Sequence, residues 1–139
     1  MEYILRLLLK HGIRDVLVTL QYKPEMIMEY FGNGSALGMH IRYFIEDQPL
    51  GTAGSVKSVE GYLNEPFLVV SGDAMTDIDL TSALDYHRSK GSTATIVLTR
   101  VPTPLEYGVV IIDETGRIRR FLEKPSWSEV FSDMVNTGI

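Results

Sequence analysis

Phe67-Leu68-Val69-Val70-Ser71-Gly72-Asp73 is an apolar run that ends on a small-residue turn and delivers a carboxylate. A continuous run of this kind, rich in β-branched residues, fits a strand covered on both faces, as in parallel sheets. Similar runs recur at residues 15–20 (DVLVTL) and 94–99 (ATIVLT), and residues 39–45 alternate well enough for another strand. Helical patterns separate them. Residues 2–11 form a broadly apolar helix closed by Gly12, and Pro24 opens a short helix through Tyr30. Thr52 is placed to cap a helix to about Leu63, and Asp79 caps another to Lys90, stopped by Gly91. Residues 109–113 and 118–123 read as a hairpin around Glu114-Thr115-Gly116. Helices alternating with apolar strands predict an α/β domain with a mostly parallel sheet and helices on both faces. Ligands of such sheets bind beyond the carboxyl ends of the strands, just after Leu20, Ile45, Ser71 and Thr99 here.

The bulk numbers narrow the function classes. The 139 residues suit one domain or part of one, and 45% hydrophobic residues supply a core. The net charge is −5 with no basic patch, which argues against nucleic acid as a partner. A nucleotide ligand is still compatible, because phosphates can be held by backbone amides, one lysine and a metal ion. The absence of cysteine removes disulfides, thiolate catalysis and Cys-ligated zinc, and it suits a reducing cytoplasm. No segment approaches the roughly 20 apolar residues that span a bilayer, so no membrane partner is expected. Glu2 and Arg6 interrupt the stretch where a signal peptide would be apolar. The expected location is the cytoplasm.

Several short segments could carry chemistry. Gly72 lets the backbone come close to a ligand, and Asp73 offers a hard oxygen that suits Mg²⁺. The alternative is a turn aspartate bonded to nearby amides. In Glu46-Asp47-Gln48-Pro49-Leu50-Gly51-Thr52-Ala53-Gly54, a strand gives way to a small-residue turn and a helix start. Exposed amides there can receive a nucleotide, although a plain helix cap accounts for the same residues. In Phe121-Leu122-Glu123-Lys124-Pro125 the proline stops a strand, so the lysine could meet a phosphate and the glutamate sugar hydroxyls. A solvated surface pair is the alternative. Gly108, in Glu106-Tyr107-Gly108-Val109-Val110, lets backbone approach a substrate. His11, His40 and His87 show no metal-ligand spacing and receive no catalytic role, and no Ser/His/Asp order with a nucleophile elbow is present.

Taken in order, LGTAG, VSGD, YGVV, FLEKP and NTGI resemble the nucleotidyltransferases that join a sugar 1-phosphate to a nucleoside triphosphate. The likeness covers essentially the whole chain, which is similar above all to bacterial mannose-1-phosphate guanylyltransferase domains. It implies a Rossmann-like nucleotidyltransferase fold, mixed and mostly parallel, with residues 1–139 as a partial domain. Residue by residue, the resemblance makes Asp73 the Mg²⁺ ligand, with Gly72 beside it at the nucleotide. Gly108 becomes a backbone contact to the sugar, Glu123 a ligand of its hydroxyls, and Lys124 a catalytic contact to its phosphate. Asn136 falls where members touch the sugar, and Leu50-Gly51-Thr52 where they pack against the base. Glu46 stands where members read the base edge. An ionised carboxylate can accept guanine N1–H and N2–H₂ together, whereas uracil and thymine offer a mixed edge that suits an amide. Glu46 therefore favours GTP unless it is a surface acid beside Asp47.

The implied reaction is attack of a sugar phosphate oxygen on the α-phosphorus of GTP, with pyrophosphate leaving. Mannose 1-phosphate is the implied acceptor. The alternatives are a glucose-1-phosphate uridylyl-, thymidylyl- or cytidylyltransferase and a noncatalytic subunit that binds sugar nucleotides. Family members begin with a strand and a GGxGTRLxPLT loop, and residue 1 lies downstream of that loop. Their second metal-binding aspartate would lie beyond Ile139. Both ends are thus expected to be truncations. One oxyanion-type donor is worth roughly 10²–10³ in rate, so the chain as written is expected to be inactive. Loss of the first strand would expose strand edges through which copies could associate.

Overall fold

In the computed structural model, which describes all residues Met1–Ile139, the chain divides into unit 1, Met1–Leu68, and unit 2, Val69–Ile139. Unit 1 opens with α1 (Glu2–Lys10), whose apolar spacing buries Ile4, Leu5 and Leu8. Its outer face carries an i,i+4 pair, Glu2 with Arg6 at 2.7 Å. Gly12 ends it at φ +78, a left-handed conformation that favours glycine. β1 (Asp15–Leu20) then pairs in parallel with β2 (His40–Ile45), from Asp15 opposite His40 to Leu20 opposite Ile45. The connection holds α2 (Pro24–Phe31), with Pro24 at its start where a missing N–H costs nothing. It returns through Gly34 at φ +83, where an added Cβ would lie 2.6 Å from Ile41 Cγ1. Only glycine fits that turn. Leu20, Met39, Ile41 and Val59 join the α1 residues in the buried core.

The last helix of unit 1, α3 (Gly51–Ser58), starts earlier than its sequence implies. Its N-cap is Leu50, without a side-chain cap, and Thr52 falls inside the first turn. The first turn closes over Leu50, whose Cβ lies 2.8 Å from where a Gly54 side chain would begin. A short 3₁₀ turn, Glu60–Tyr62, replaces the expected continuation to Leu63.

Unit 2 is built on antiparallel pairing. Its sheet runs in the order β3 (Leu98–Arg100), β6 (Met134–Asn136), β4 (Gly108–Ile112), β5 (Ile118–Glu123). Parallel pairing, expected of most of the sheet, is thus found in β1 and β2. Residues 67–71 form no strand. Ser71 N–H donates to Gly138 O at 3.2 Å, but Gly138 stands at φ +80. A left-handed residue in the facing segment breaks the extended geometry that a ladder needs. Phe67 is 51% exposed rather than buried. Of the expected strand at 94–99 only its end is laddered, though Val97 N–H still reaches Ile139 O at 2.9 Å.

The remaining elements follow local chemistry. Asp79 caps α4 (Leu80–Lys90) by accepting Ser82 N–H at 3.0 Å, and Gly91 closes it at φ +58. The β4–β5 hairpin pairs Gly108 with Glu123 and Val110 with Phe121, and carries a bulge between Ile111 and Ile112. Asp113 holds its turn, accepting Thr115 N–H at 2.9 Å, Thr115 Oγ1 at 2.6 Å and Arg117 N–H at 3.0 Å. Lys90 Nζ bonds Thr115 O at 2.7 Å and ties α4 to that turn. Leu80, Val109, Val110 and Val135 make the core of this unit. No helix of the chain is long and apolar enough to cross a membrane.

Candidate nucleotide and sugar phosphate residues

In unit 1 the parallel pairing runs one residue past the strand, with Glu46 N–H donating to Leu20 O at 2.8 Å. That bond delivers Glu46 to the carboxyl end of the pair, where ligands of such sheets bind. Glu46 is 8% exposed, the one buried charged residue of the chain, so the surface-acid alternative is set aside. Its Oε2 accepts Leu50 N–H at 3.4 Å, a long bond that leaves most of the carboxylate's acceptor capacity unused. Leu50 itself is 39% exposed. Gly51 and Thr52 are exposed as well, and nothing lies within 4 Å of where a Gly51 side chain would stand. A buried acceptor thus adjoins an exposed apolar side chain and bare backbone, a combination that suits a flat polar ring.

Unit 2 gathers the remaining candidates around one end of its sheet. Val109 pairs with Val135 across β4 and β6. That register sets Gly108 beside Asn136, while Gly108 faces Glu123 across β4 and β5. Directly opposed residues of antiparallel strands share a face, so Glu123, Gly108 and Asn136 form one row across three strands. Asn136 Oδ1 accepts Gly138 N–H at 3.0 Å, which leaves its amide NH₂ to donate. Gly138 O in turn accepts Ser71 N–H at 3.2 Å, linking this row to the Ser71-Gly72-Asp73 turn. Asp73 is exposed, and open space surrounds the position a Gly72 side chain would take.

Lys124 leaves β5 at φ +42, in the left-handed region. A non-glycine residue there costs roughly 1–2 kcal/mol, and such strain gathers at functional sites. The conformation is held by Lys124 N–H donating to Tyr107 O at 3.1 Å, against the extended bias that the following Pro125 imposes. Tyr107 was missed in the sequence because its carbonyl does this work, and a carbonyl leaves no residue-type signature. Phe121 was missed too, although it lies two residues before Glu123 and so on the same strand face.

The nucleotidyl transferase family profile matches residues 1–139, the full chain. This chain belongs to the nucleotidyl transferase family. It is 39% identical to the UTP–glucose-1-phosphate uridylyltransferase of Synechocystis, over 100% of this chain and 39% of that protein. It is 41% identical to the mannose-1-phosphate guanylyltransferase of Mycobacterium tuberculosis, over 91% of this chain and 35% of that one. The chain therefore spans well under half the length of these curated relatives. Among solved structures, HddC from Yersinia pseudotuberculosis superposes with a TM-score of 0.78 at 22% identity. That match covers 99% of this chain and 60% of HddC, and shows that the two share a fold. The mixed α/β architecture expected from the sequence is the architecture of the family.

Proposed function

We propose that this chain carries substrate-binding residues of an enzyme that transfers GMP from GTP to a sugar 1-phosphate, mannose 1-phosphate foremost. The sugar phosphate oxygen attacks the α-phosphorus, the α–β bridging bond breaks, and pyrophosphate leaves, giving GDP-mannose. The observation that carries this assignment is the row Glu123, Gly108, Asn136 on one sheet face, with Lys124 held at its end. Glu123 accepts hydrogen bonds from sugar hydroxyls, the Asn136 amide donates to them, and Lys124 meets the sugar phosphate as a point charge. Gly108, buried beneath the Glu123 carboxylate and the Phe121 ring, gives that carboxylate its room.

Leu50, Gly51 and Thr52 pack against the base, and buried Glu46 accepts the two adjacent donors of guanine. The buried carboxylate is what favours GTP over UTP, because a carbonyl placed against it would leave both groups unsatisfied. The relative named for UTP and glucose 1-phosphate supports a second assignment, uridylyl transfer to glucose 1-phosphate. Asp73, with Gly72, would hold Mg²⁺. The chain shows no cluster of three or more His, Asp or Glu side chains able to hold a metal. A lone exposed carboxylate fits Mg²⁺, which keeps its waters and takes further ligands from substrate phosphates. When bound, that ion supplies neutralisation of phosphate charge. The cysteine-free composition fits a cytoplasmic enzyme. β1 and β2 each keep one unladdered edge within unit 1, which favours self-association through strands.

Calorimetric titration of the chain with GDP-mannose and with UDP-glucose, each with Mg²⁺, tests the assignment. Saturable binding of GDP-mannose alone is expected. Binding of UDP-glucose alone would move the assignment to uridylyl transfer, and binding of neither by folded protein would overturn both.

A further inference from the structure

The point where a Gly108 side chain would begin is already occupied. Phe121 Cζ lies 2.6 Å from it, Glu123 Oε2 2.7 Å and Phe121 Cε1 3.2 Å. The Glu123 carboxylate therefore folds back over β4, onto the one residue of that strand that has no side chain, and the tip of the Phe121 ring lies against the same spot. Gly108 is buried by these two groups, whereas Phe121 is 42% exposed. The ring is thus only partly covered, and its tip abuts the spot where the Glu123 carboxylate lies.

We infer that Phe121 is a positioning residue, which with the bare backbone of Gly108 seats the Glu123 carboxylate toward the sugar-facing row. The inference rests on the sugar-hydroxyl role proposed above for Glu123. Gly108 supplies space in the one direction that brings the carboxylate toward Asn136, and Phe121 blocks its swing back along β5. A glutamate free of that seat samples several rotamers and must be frozen when ligand binds. Freezing it then weakens sugar phosphate binding by up to about tenfold.

The test is steady-state kinetics on the complete enzyme containing this chain, with Phe121→Ala, Phe121→Leu, Glu123→Ala and the Phe121→Ala/Glu123→Ala pair. Phe121→Ala is expected to raise the KM for sugar 1-phosphate by about five- to tenfold, most of a glutamate's rotamer freedom, and to leave the KM for the nucleoside triphosphate unchanged. Phe121→Leu, which keeps apolar bulk against Gly108, restores most of the loss. The double variant should be no weaker than Glu123→Ala alone, because Phe121 acts through that side chain. Additive losses, or a Phe121→Ala enzyme with an unaltered sugar phosphate KM, would overturn the inference while leaving the role of Glu123 intact. If Glu123→Ala itself left that KM unchanged, the role of Glu123 would fall and the positioning role with it.

Discussion

Replacing Glu46 with glutamine changes the side-chain chemistry at the most informative position of unit 1. The side chain keeps its shape, so the 8% exposure and the packing around it should survive. What changes is hydrogen-bond sense. A carboxylate offers acceptors on both oxygens, whereas an amide has one acceptor and one donor group. Leu50 N–H already points at one oxygen, at 3.4 Å. The amide oxygen of the Glu46→Gln variant will take that place, which turns its NH₂ toward the ligand. Guanine then meets a donor with a donor. Two charge-assisted bonds, each worth about 1.5–3 kcal/mol, are replaced by at most one neutral bond and one unpaired donor. At about 1.4 kcal/mol per tenfold, the expected loss in kcat/KM for GTP is roughly 10²–10³. UTP, whose edge mixes donor and acceptor, should lose nothing and can gain. The assay compares kcat/KM for GTP and UTP in the complete enzyme, with a urea melt to show that stability is kept. A GTP-to-UTP preference that stays within about threefold of its starting value, less than one hydrogen bond's worth, would refute the argument. The carboxylate would then be buried for a structural reason.

Two further outcomes test the sugar-side unit. At Lys124, glycine should be more stable than alanine by roughly 1 kcal/mol, reversing the usual order, because the backbone at φ +42 is left-handed. Urea unfolding of Lys124→Gly and Lys124→Ala checks this, and both variants should lose sugar 1-phosphate binding. Asp113 has its carboxyl held well below the usual aspartate value, first by the Thr115 hydroxyl and then by Arg117 N–H, with Thr115 N–H and Arg119 adding to them. A depressed folded pKa stabilises above the unfolded value of 3.8, and that contribution is lost as pH falls through and below it. Asp113→Asn should therefore be less stable than the native chain at pH 7, and the gap should shrink on going to pH 3. A gap that stays constant between those pH values would show that the carboxylate's charge contributes nothing to the hairpin turn.

Much of the fold was legible wherever the deciding interaction lies within a few residues. Asp79 and Gly91 bracket α4 because a side-chain oxygen and a left-handed residue act on their own helix. The hairpin was readable for the same reason, since Asp113 binds amides only two and four residues ahead. The candidate site was half legible. Four of the ordered motifs placed Asp73, Gly108, Glu123, Lys124 and Asn136 along the chain, but not beside one another. The row of Glu123, Gly108 and Asn136 depends on β4 pairing with both β5 and β6, and contacts between residues far apart in sequence leave no local pattern.

The same distinction explains the misses. Residues 67–71 have all the composition of a strand, yet strand formation needs a neighbour with free, extended backbone. Gly138, nearly seventy positions away, supplies one hydrogen bond and then turns left-handed. Burial of Glu46 could not be read from a run of polar neighbours, since it follows from one extra rung of parallel pairing to Leu20. Nor could any pattern show that the missing side chain of Gly108 leaves room for the carboxylate of Glu123. The motifs, and the family resemblance that their order carries, named the groups with chemistry to offer. Which way those groups face was settled by backbone partners remote in sequence, because a hydrogen bond or a steric void exists only once both of its sides are in place.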